Sequence, residues 1–416
     1  MSDKSYDVLV IGGGASGMMA AGRAAERSKK VLLLEKNKKL GEKLRITGGG
    51  RCNITNAEFD TRKLLKFYGK AEQFLFSPFS QFGVKETFSF FESRGLPLIV
   101  EENNRAFPKS QKAEDVAKVM EAYVKKGDVM VLTDSVVTKI HMSDGKITNV
   151  SVGGEMYKAK EYIFATGSMS HKETGSTGDG FAWLKDLGHT VVNPTPTIVP
   201  LKTKEAWSKE PAGVSLADMK IYFYVDGKKF LVKSGPLLFT HFGLSGPLIL
   251  NSAHAIANEL HAGIVTATID IFPKLDLGAL EKQIISIFDV NKNKVFKNIV
   301  KEFVPDGMSK GILALVSESI DVTKQVNAIS KEERKILVNI LKALPLTVTG
   351  LMGFDKAVIV DGGISLNEID TKTMRSKKIS NLFVTGDLLH INRPSGGFSL
   401  QLCWSTGYVA GSHASE

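Results

Sequence analysis

Asp7-Val8-Leu9-Val10-Ile11 is an unbroken apolar run, followed by glycines, an Ala/Met-rich stretch to about Arg27, and a second apolar run, 31–34, that ends at Glu35. Strands apolar at every position suit a sheet covered on both faces, so the pattern predicts strand, turn, helix, strand: a βαβ unit with a parallel sheet. Further short strands are predicted at 129–132, 136–141, 147–152 and 162–165, with the Ser143-Asp144-Gly145-Lys146 turn joining two of them in a hairpin.

From about Asn193 the pattern changes. Pro194, Pro196 and Pro200 punctuate the chain, and strand-like 220–225 and 229–232 flank Asp226-Gly227, a second hairpin. After Pro273 apolar positions recur at helical spacing through 277–288, 291–303, 310–319 and 331–343, with Ser330 and Glu333 placed for a capping box. Beyond Pro345 strand character returns at 356–360 and 382–385, and a Gly-rich turn opens a helix over 398–410. The two chain ends therefore read as one α/β domain interrupted by an insert.

The 416 residues are 43% hydrophobic and 24% charged, which excludes disorder and leaves room for two or three domains. Cys52 and Cys403 are the only cysteines and have no metal-type spacing, so neither a disulfide framework nor a zinc site is expected, and a reducing, cytoplasmic setting is. No apolar run approaches a membrane span, and no leader pattern opens the sequence. The net charge of +10 favours polyanionic partners.

Gly12-Gly13-Gly14-Ala15-Ser16-Gly17 fits G-x-G-x-x-G between strand and helix, and Glu35 ends the next strand 23 residues after Gly12. In that context Gly12 permits the tight turn, Gly14 lets backbone approach a pyrophosphate, Gly17 allows close helix–strand packing, and Glu35 accepts from ribose hydroxyls. The motif alone does not separate FAD from NAD. Leu382-Phe383-Val384-Thr385-Gly386-Asp387 resembles the second FAD signature of flavoproteins with the two-dinucleotide-binding fold, where the strand-end Asp holds the ribityl or phosphate region. Ala165-Thr166-Gly167 resembles the middle signature. Gly396-Gly397 opens a helix whose N–H groups would stabilise negative charge on the reduced flavin.

A more specific resemblance rests on Gly41-Glu42-Lys43, on Thr47-Gly48-Gly49-Gly50-Arg51-Cys52-Asn53 with Thr55-Asn56, and on blocks at 105–108, 174–180, 240–247 and 362–363. The chain resembles a bacterial family of FAD-dependent oxidoreductases that includes bile-acid 3-dehydro-Δ4,6-reductase, aminoacetone oxidase and ribosomal-RNA dihydrouridine synthase. The resemblance implies a split FAD domain, residues 1–194 and 346–416, with an inserted β-barrel at 195–275 and a helical region at 276–345. It adds Ala15, Ser16, Lys36, Lys43, Thr47, Gly48, Gly49, Arg51, Cys52, Asn53, Val137 and Phe398 to the expected cofactor-binding residues. The chain departs from the family pattern at 388–394, which carries Arg393, and at Ser168 and His171-Lys172.

The resemblance further implies hydride transfer from flavin N5 to the β-carbon of a C=C bond conjugated to a carbonyl, with NADH or NADPH as transient electron donor. Cys52, whose thiolate the neighbouring Arg51 would favour, and His241, in a Gly/Ser/Pro-rich turn, are the candidate catalytic residues. Arg45, Arg51 and Arg393 are candidates for phosphate or anionic substrate. The substrate is expected to be a ribosomal-RNA uridine or a small enone; Lys292, Lys294, Lys297 and Lys301, spaced to share a helix face, are the expected RNA contact. Amine oxidation and a non-enzymatic FAD-containing RNA-binding or redox-sensing role are the competing readings.

Overall fold

The computed structural model describes residues 5–414, and the chain divides into two units, Met1–Pro196 with Ala357–Glu416, and Thr197–Lys356. In the first unit, strand β1 (Ser5–Ile11) leads into helix α1 (Ala15–Glu26) and strand β2 (Val31–Leu34). β1 lies parallel to β2 on one side and to strand Glu155–Phe164 on the other, with Val10 opposite both Leu33 and Ile163. Val8 to Ile11 and all of β2 are buried, as an apolar run in a covered parallel sheet requires. Leu382–Val384 pairs parallel with the far edge of Glu155–Phe164, Phe383 opposite Ile163, so the sheet joins both ends of the sequence. The fold is α/β with a split Rossmann-type domain.

The hairpin forms where its turn signal stands: Val137–Ser143 and Lys146–Val152 are antiparallel about Asp144 and Gly145, both at positive φ. The final helix, Phe398–His413, crosses α1 at Gly407 and Gly411, where a Cβ would overlap the carbonyls of Ser16 and Ala20. The short helix Thr61–Leu65 and the Phe-rich helices Glu72–Gln81 and Val84–Glu92 complete this unit with a small sheet of Thr55–Asn56, Leu98–Glu101 and Arg105–Pro108.

The second unit is a closed barrel. Its long hairpin, Ser215–Val225 and Lys228–Thr240, turns at Asp226-Gly227. The barrel is closed by Leu344–Leu351, which pairs with both Leu201–Thr203 and Val265–Asp270. The helices therefore interrupt the barrel instead of following it, and the expected limits at 194/195 and 345/346 move to 196/197 and 356/357. The Ser330 capping box forms, Glu333 N–H donating to Ser330 Oγ (3.1 Å) and Ser330 N–H to Glu333 Oε2 (2.8 Å).

Two expected elements differ. Residues 291–303 are not one helix: a turn runs to Val295, and Phe296–Ile299 and Val300–Glu302 are single turns that bury Phe296, Ile299 and Val300. Lys292 and Lys294 lie in that turn and pair with Asp289 (3.4 Å) and Glu302 (3.6 Å), so the four lysines do not form the expected helix face. The strand expected at 356–360 is Val360–Ile364, paired with Val191–Pro196; here Gly362 approaches Pro194 and Gly363 approaches Leu388 closely enough that a Cβ would clash with backbone. Among the described residues no helix is long and apolar enough to cross a membrane.

Candidate functional site

The turn after β1 is shaped by contact with a neighbouring strand. Gly12 has φ +104°, and a Cβ there would lie 2.5 Å from Ala165 O. A Cβ on Gly17 would overlap Gly12 O, so Gly17 sets how closely α1 packs on the turn. Gly14 differs: a Cβ there would meet nothing within 4 Å. It caps α1 without a side-chain hydrogen bond, and the first helical turn has no acidic residue. The helix thus presents open N–H donors and the positive end of its dipole, an arrangement suited to phosphate.

These donors face a cavity of about 1160 Å3, counted out to the solvent at its mouth. Its wall includes Gly12, Gly14, Ala15 and Ser16 from the turn, Glu35 and Lys36 after β2, and Lys43 and Thr47 from the next loop. Val137, Ala165, Thr166, Gly167 and Asp387 complete the expected residues that line it. Glu35 is buried; its carboxylate accepts from Gly13 N (2.6 Å) and Asn37 N (2.8 Å). Burial raises its pKa against the pull of those two N–H groups. Lys36 Nζ reaches Asp179 Oδ2 (2.7 Å) and Thr177 Oγ1 (2.5 Å), tying in the 174–180 block, of which Thr174, Gly175, Ser176 and Asp179 line the cavity.

Lys43 donates to Ser170 Oγ (3.0 Å). Burial pushes its ammonium below the ordinary lysine value, and the Asp387 carboxylate opposes that shift. Thr166 Oγ1 is buried against Gly180, and among the described residues it has no hydrogen-bond partner. An uncapped helix N-terminus, a carboxylate with unused lone pairs, a buried ammonium and a hydroxyl without a protein partner form a donor set that fits the phosphates and hydroxyls of FAD.

Other expected residues lie outside this wall. Gly48 and Gly49 occupy an exposed left-handed turn (φ +58° and +67°). Arg51 is paired with Glu101, donates to Gln111 Oε1 (2.5 Å) and lies over the Phe107 ring, while Arg45 is held by Glu114 and Glu121. Both guanidinium groups expected to meet phosphate or substrate are held by acidic side chains instead. Arg393 is likewise buried and committed, pairing with Asp387 and donating to Ile391 O (2.7 Å) and Ser399 Oγ (3.0 Å).

Cys52 is wholly buried at φ +60°, and burial pushes its thiol up to about 12, opposed by the Thr47 hydroxyl. The expected thiolate therefore has no basis: Arg51 is held by Glu101 and Gln111, and the thiol is enclosed in the loop interior. His241 belongs to the second unit, exposed in the turn after Thr240 with its ring against Phe242.

Asn53, with its amide turned to satisfy both ends, accepts from Gly397 N (3.0 Å) and donates to Ala106 O (3.2 Å). The Gly397 N–H expected to face the flavin is thereby taken. Gly397 instead allows the helix start to press on Thr55–Asn56, Gly396 lies against the Phe398 ring, and Phe398 is buried against Tyr68. Gly386 N donates to Thr406 Oγ1 (3.0 Å) beneath the turn. Sequence reading missed Cys403, Trp183, Ser399 and Leu400 in the cavity wall. Cys403 follows Leu400 by three residues on the final helix, a helical spacing that would have placed it beside the expected Gly396-Gly397 turn.

Residues 6–413 match the family described as "HI0933-like protein Rossmann domain". The chain is 29% identical to the 3-dehydro-bile acid delta(4,6)-reductase of Clostridium scindens over 98% of both chains. It is 27% identical to the ribosomal RNA dihydrouridine synthase of Haemophilus influenzae over 96% of both. Among solved structures, the 3-ketosteroid-delta4-(5alpha)-dehydrogenase of Rhodococcus jostii RHA1 shares the fold with a TM-score of 0.56 at 14% identity, covering 100% of this chain and 97% of that one. The family match across nearly the whole chain agrees with the cavity's donor set: the protein belongs to the HI0933-like family and is an FAD-dependent oxidoreductase.

Proposed function

We propose that the protein saturates a C=C bond conjugated to a carbonyl, with NADH or NADPH as electron donor and in the cytoplasm. One observation carries the reading. Of two relatives that each align over at least 96% of this chain, one is named for the double bonds it reduces, a delta(4,6)-reductase, and the other for a reduced product, a dihydrouridine synthase. In each the double bond sits in a ring next to a carbonyl, so an electron-poor β-carbon accepts hydride and the α-carbon a proton.

FAD, when bound, supplies the hydride. The chain's own groups bind and orient. The open α1 N–H groups and Lys43 hold negative charge, Glu35 accepts hydroxyls, and Thr166 offers its unpartnered hydroxyl. Gly48 to Gly50 are exposed beside Thr47 of the cavity wall, which leaves a small-residue surface for a flat ring.

The test is anaerobic. Purified holoenzyme is mixed with NADPH or NADH, and flavin bleaching is followed at its visible band. Reoxidation is then offered by a cyclic enone or by unmodified ribosomal RNA, with products read by mass spectrometry. Gain of two hydrogens in either acceptor supports the reading; reoxidation by dioxygen alone, with an amine as the better reductant, overturns it.

A further inference from the structure

Residues 61–71 place the short helix Thr61–Leu65 and the turn Lys66–Ala71 on the surface of the first unit. Leu64, Leu65 and Tyr68 face inward, and Tyr68 Oη donates to Phe398 O (2.8 Å). Arg62, Lys63, Lys66, Phe67 and Lys70 are left exposed. Spacings of four residues put Arg62 beside Lys66 and Lys63 beside Phe67. Lys63 has Asp60 at 4.0 Å; among the described residues Arg62, Lys66 and Lys70 have no ion-pair partner.

Phe67 is the unusual member, a large apolar side chain 52% exposed among cations. One face of its ring rests on Phe398, with centroids 4.8 Å apart. Phe398 begins the final helix, and the next two residues, Ser399 and Leu400, line the cavity. Phe67 is thereby tied to the start of the helix whose next two residues line the cavity. An exposed ring framed by unpaired cations suits a single-stranded polynucleotide: every base has a face to stack, and each phosphate meets a cation.

We propose that this surface docks single-stranded RNA, with Phe67 stacking one of its bases. That a nucleotide of the docked strand enters the cavity rests on the reductase reading. The lysines around 292–301, two of them neutralised by Asp289 and Glu302, are not the main contact.

The test measures affinity of the holoenzyme for a short fluorescein-labelled single-stranded RNA by anisotropy, at about 50 and 200 mM salt. Phe67→Ala is expected to weaken binding about 5- to 150-fold, with Phe67→Trp restoring it. The pair Lys66→Glu and Lys70→Glu is expected to flatten the slope of log K against log salt by roughly one or more. Flavin content and bleaching by NADPH should be unchanged in Phe67→Ala. RNA affinity equal in all these proteins, or absent in the wild type, overturns the proposal. So does binding to phosphatidylglycerol vesicles that is lost in Phe67→Ala while RNA affinity is kept, which assigns the patch to a lipid surface. Failure of the reductase reading shows separately, as no hydrogen gain in RNA or enone while Phe67-dependent RNA affinity persists.

Discussion

The side-chain amide of Asn53 holds the backbone N–H of Gly397 at 3.0 Å across a sequence distance that spans the whole insert. The same amide donates to Ala106 O, so one side chain fastens the Thr47–Asn53 loop to the start of the final helix. Asn53→Ala would leave that N–H without its partner. A loss of about 1–3 kcal/mol is expected, read as a lower urea midpoint of the apoprotein. Gly397→Ala should cost more, because Gly397 sits at φ +98° and a Cβ would meet Asn56 N at 2.5 Å. A midpoint unchanged by Asn53→Ala would show that the amide does not fasten the loop.

Thr166 makes the opposite prediction. Its buried hydroxyl has no partner among the described residues, so Thr166→Val removes no hydrogen bond seen there. The apoprotein should be as stable as the wild type or slightly more so, while FAD retention weakens by about 0.5–1.5 kcal/mol, roughly 2- to 10-fold in dissociation constant. The check is a pair of measurements, urea unfolding of the apoprotein and FAD release followed by flavin fluorescence. Lower apoprotein stability with unchanged FAD affinity would mean that the hydroxyl serves the fold and not the cofactor.

These contrasts mark what the amino-acid sequence carries. The βαβ turn was legible because its determinants are local: Gly12, Gly14 and Gly17 act within one turn, and Val8 to Ile11 announce burial by composition alone. Asp226-Gly227 and the Ser330 capping box are local in the same way. Arg51 was not legible as an internal group, since its partner Glu101 is brought beside it only by the small sheet. Lys292 and Lys294 failed as a helix face because Phe296 and Val300 are buried at the cost of helical phase. Closure of the barrel by Leu344–Leu351 depends on pairing with strands far back in the chain, which no local pattern reports.

Both cysteines should be poorly reactive in the folded protein. Burial pushes Cys52 up to about 12, and Cys403 is pushed to about 12 by burial and then by the Asp387 carboxylate, with Arg393 and Lys43 opposing. At pH 8 a thiol at 12 is thiolate about once in 10^4 molecules, and the thiolate is the nucleophile. A disulfide-exchange reagent should therefore not label Cys52 in native protein within minutes, should label the half-buried Cys403 of the cavity wall only slowly because of its raised pKa, and should label both in urea. Cys52→Ala is expected to keep NADPH-driven flavin bleaching. Fast labelling of Cys52 in native protein, or loss of bleaching without loss of flavin, would restore it as a catalytic candidate.

The buried His189 and Ser376 form a hydrogen-bonded chain with the half-buried Glu368 that sets how stability follows pH. His189 Nδ1 meets Glu368 Oε2 at 2.8 Å, and Nε2 meets Ser376 Oγ at 3.0 Å. Ser376 Oγ also accepts from Lys378 N (3.1 Å) and Ile379 N (2.9 Å). With Nδ1–H donating to the carboxylate, Nε2 accepts the serine proton; a second ring proton would set donor against donor. Burial lowers the His189 pKa below its ordinary 6.5, and the Glu368 hydrogen bond only partly opposes it. The unfolded chain then binds this proton more readily, so the contribution is complete above about 6.5 and is lost as pH falls below it. Burial alone would raise Glu368, but hydrogen bonds from Lys378, His189 and Thr190 outweigh it and bring the carboxyl from 4.5 to about 2. Its contribution is complete above about 4.5 and declines as pH drops toward 2. Urea midpoints should thus fall in two stages on acidification, the first beginning near pH 6.5. His189→Gln, which keeps a donor and an acceptor but does not titrate, should lower stability at pH 7.5 by about 1–3 kcal/mol and remove the first stage. A first stage of full size in His189→Gln would place the titrating group elsewhere.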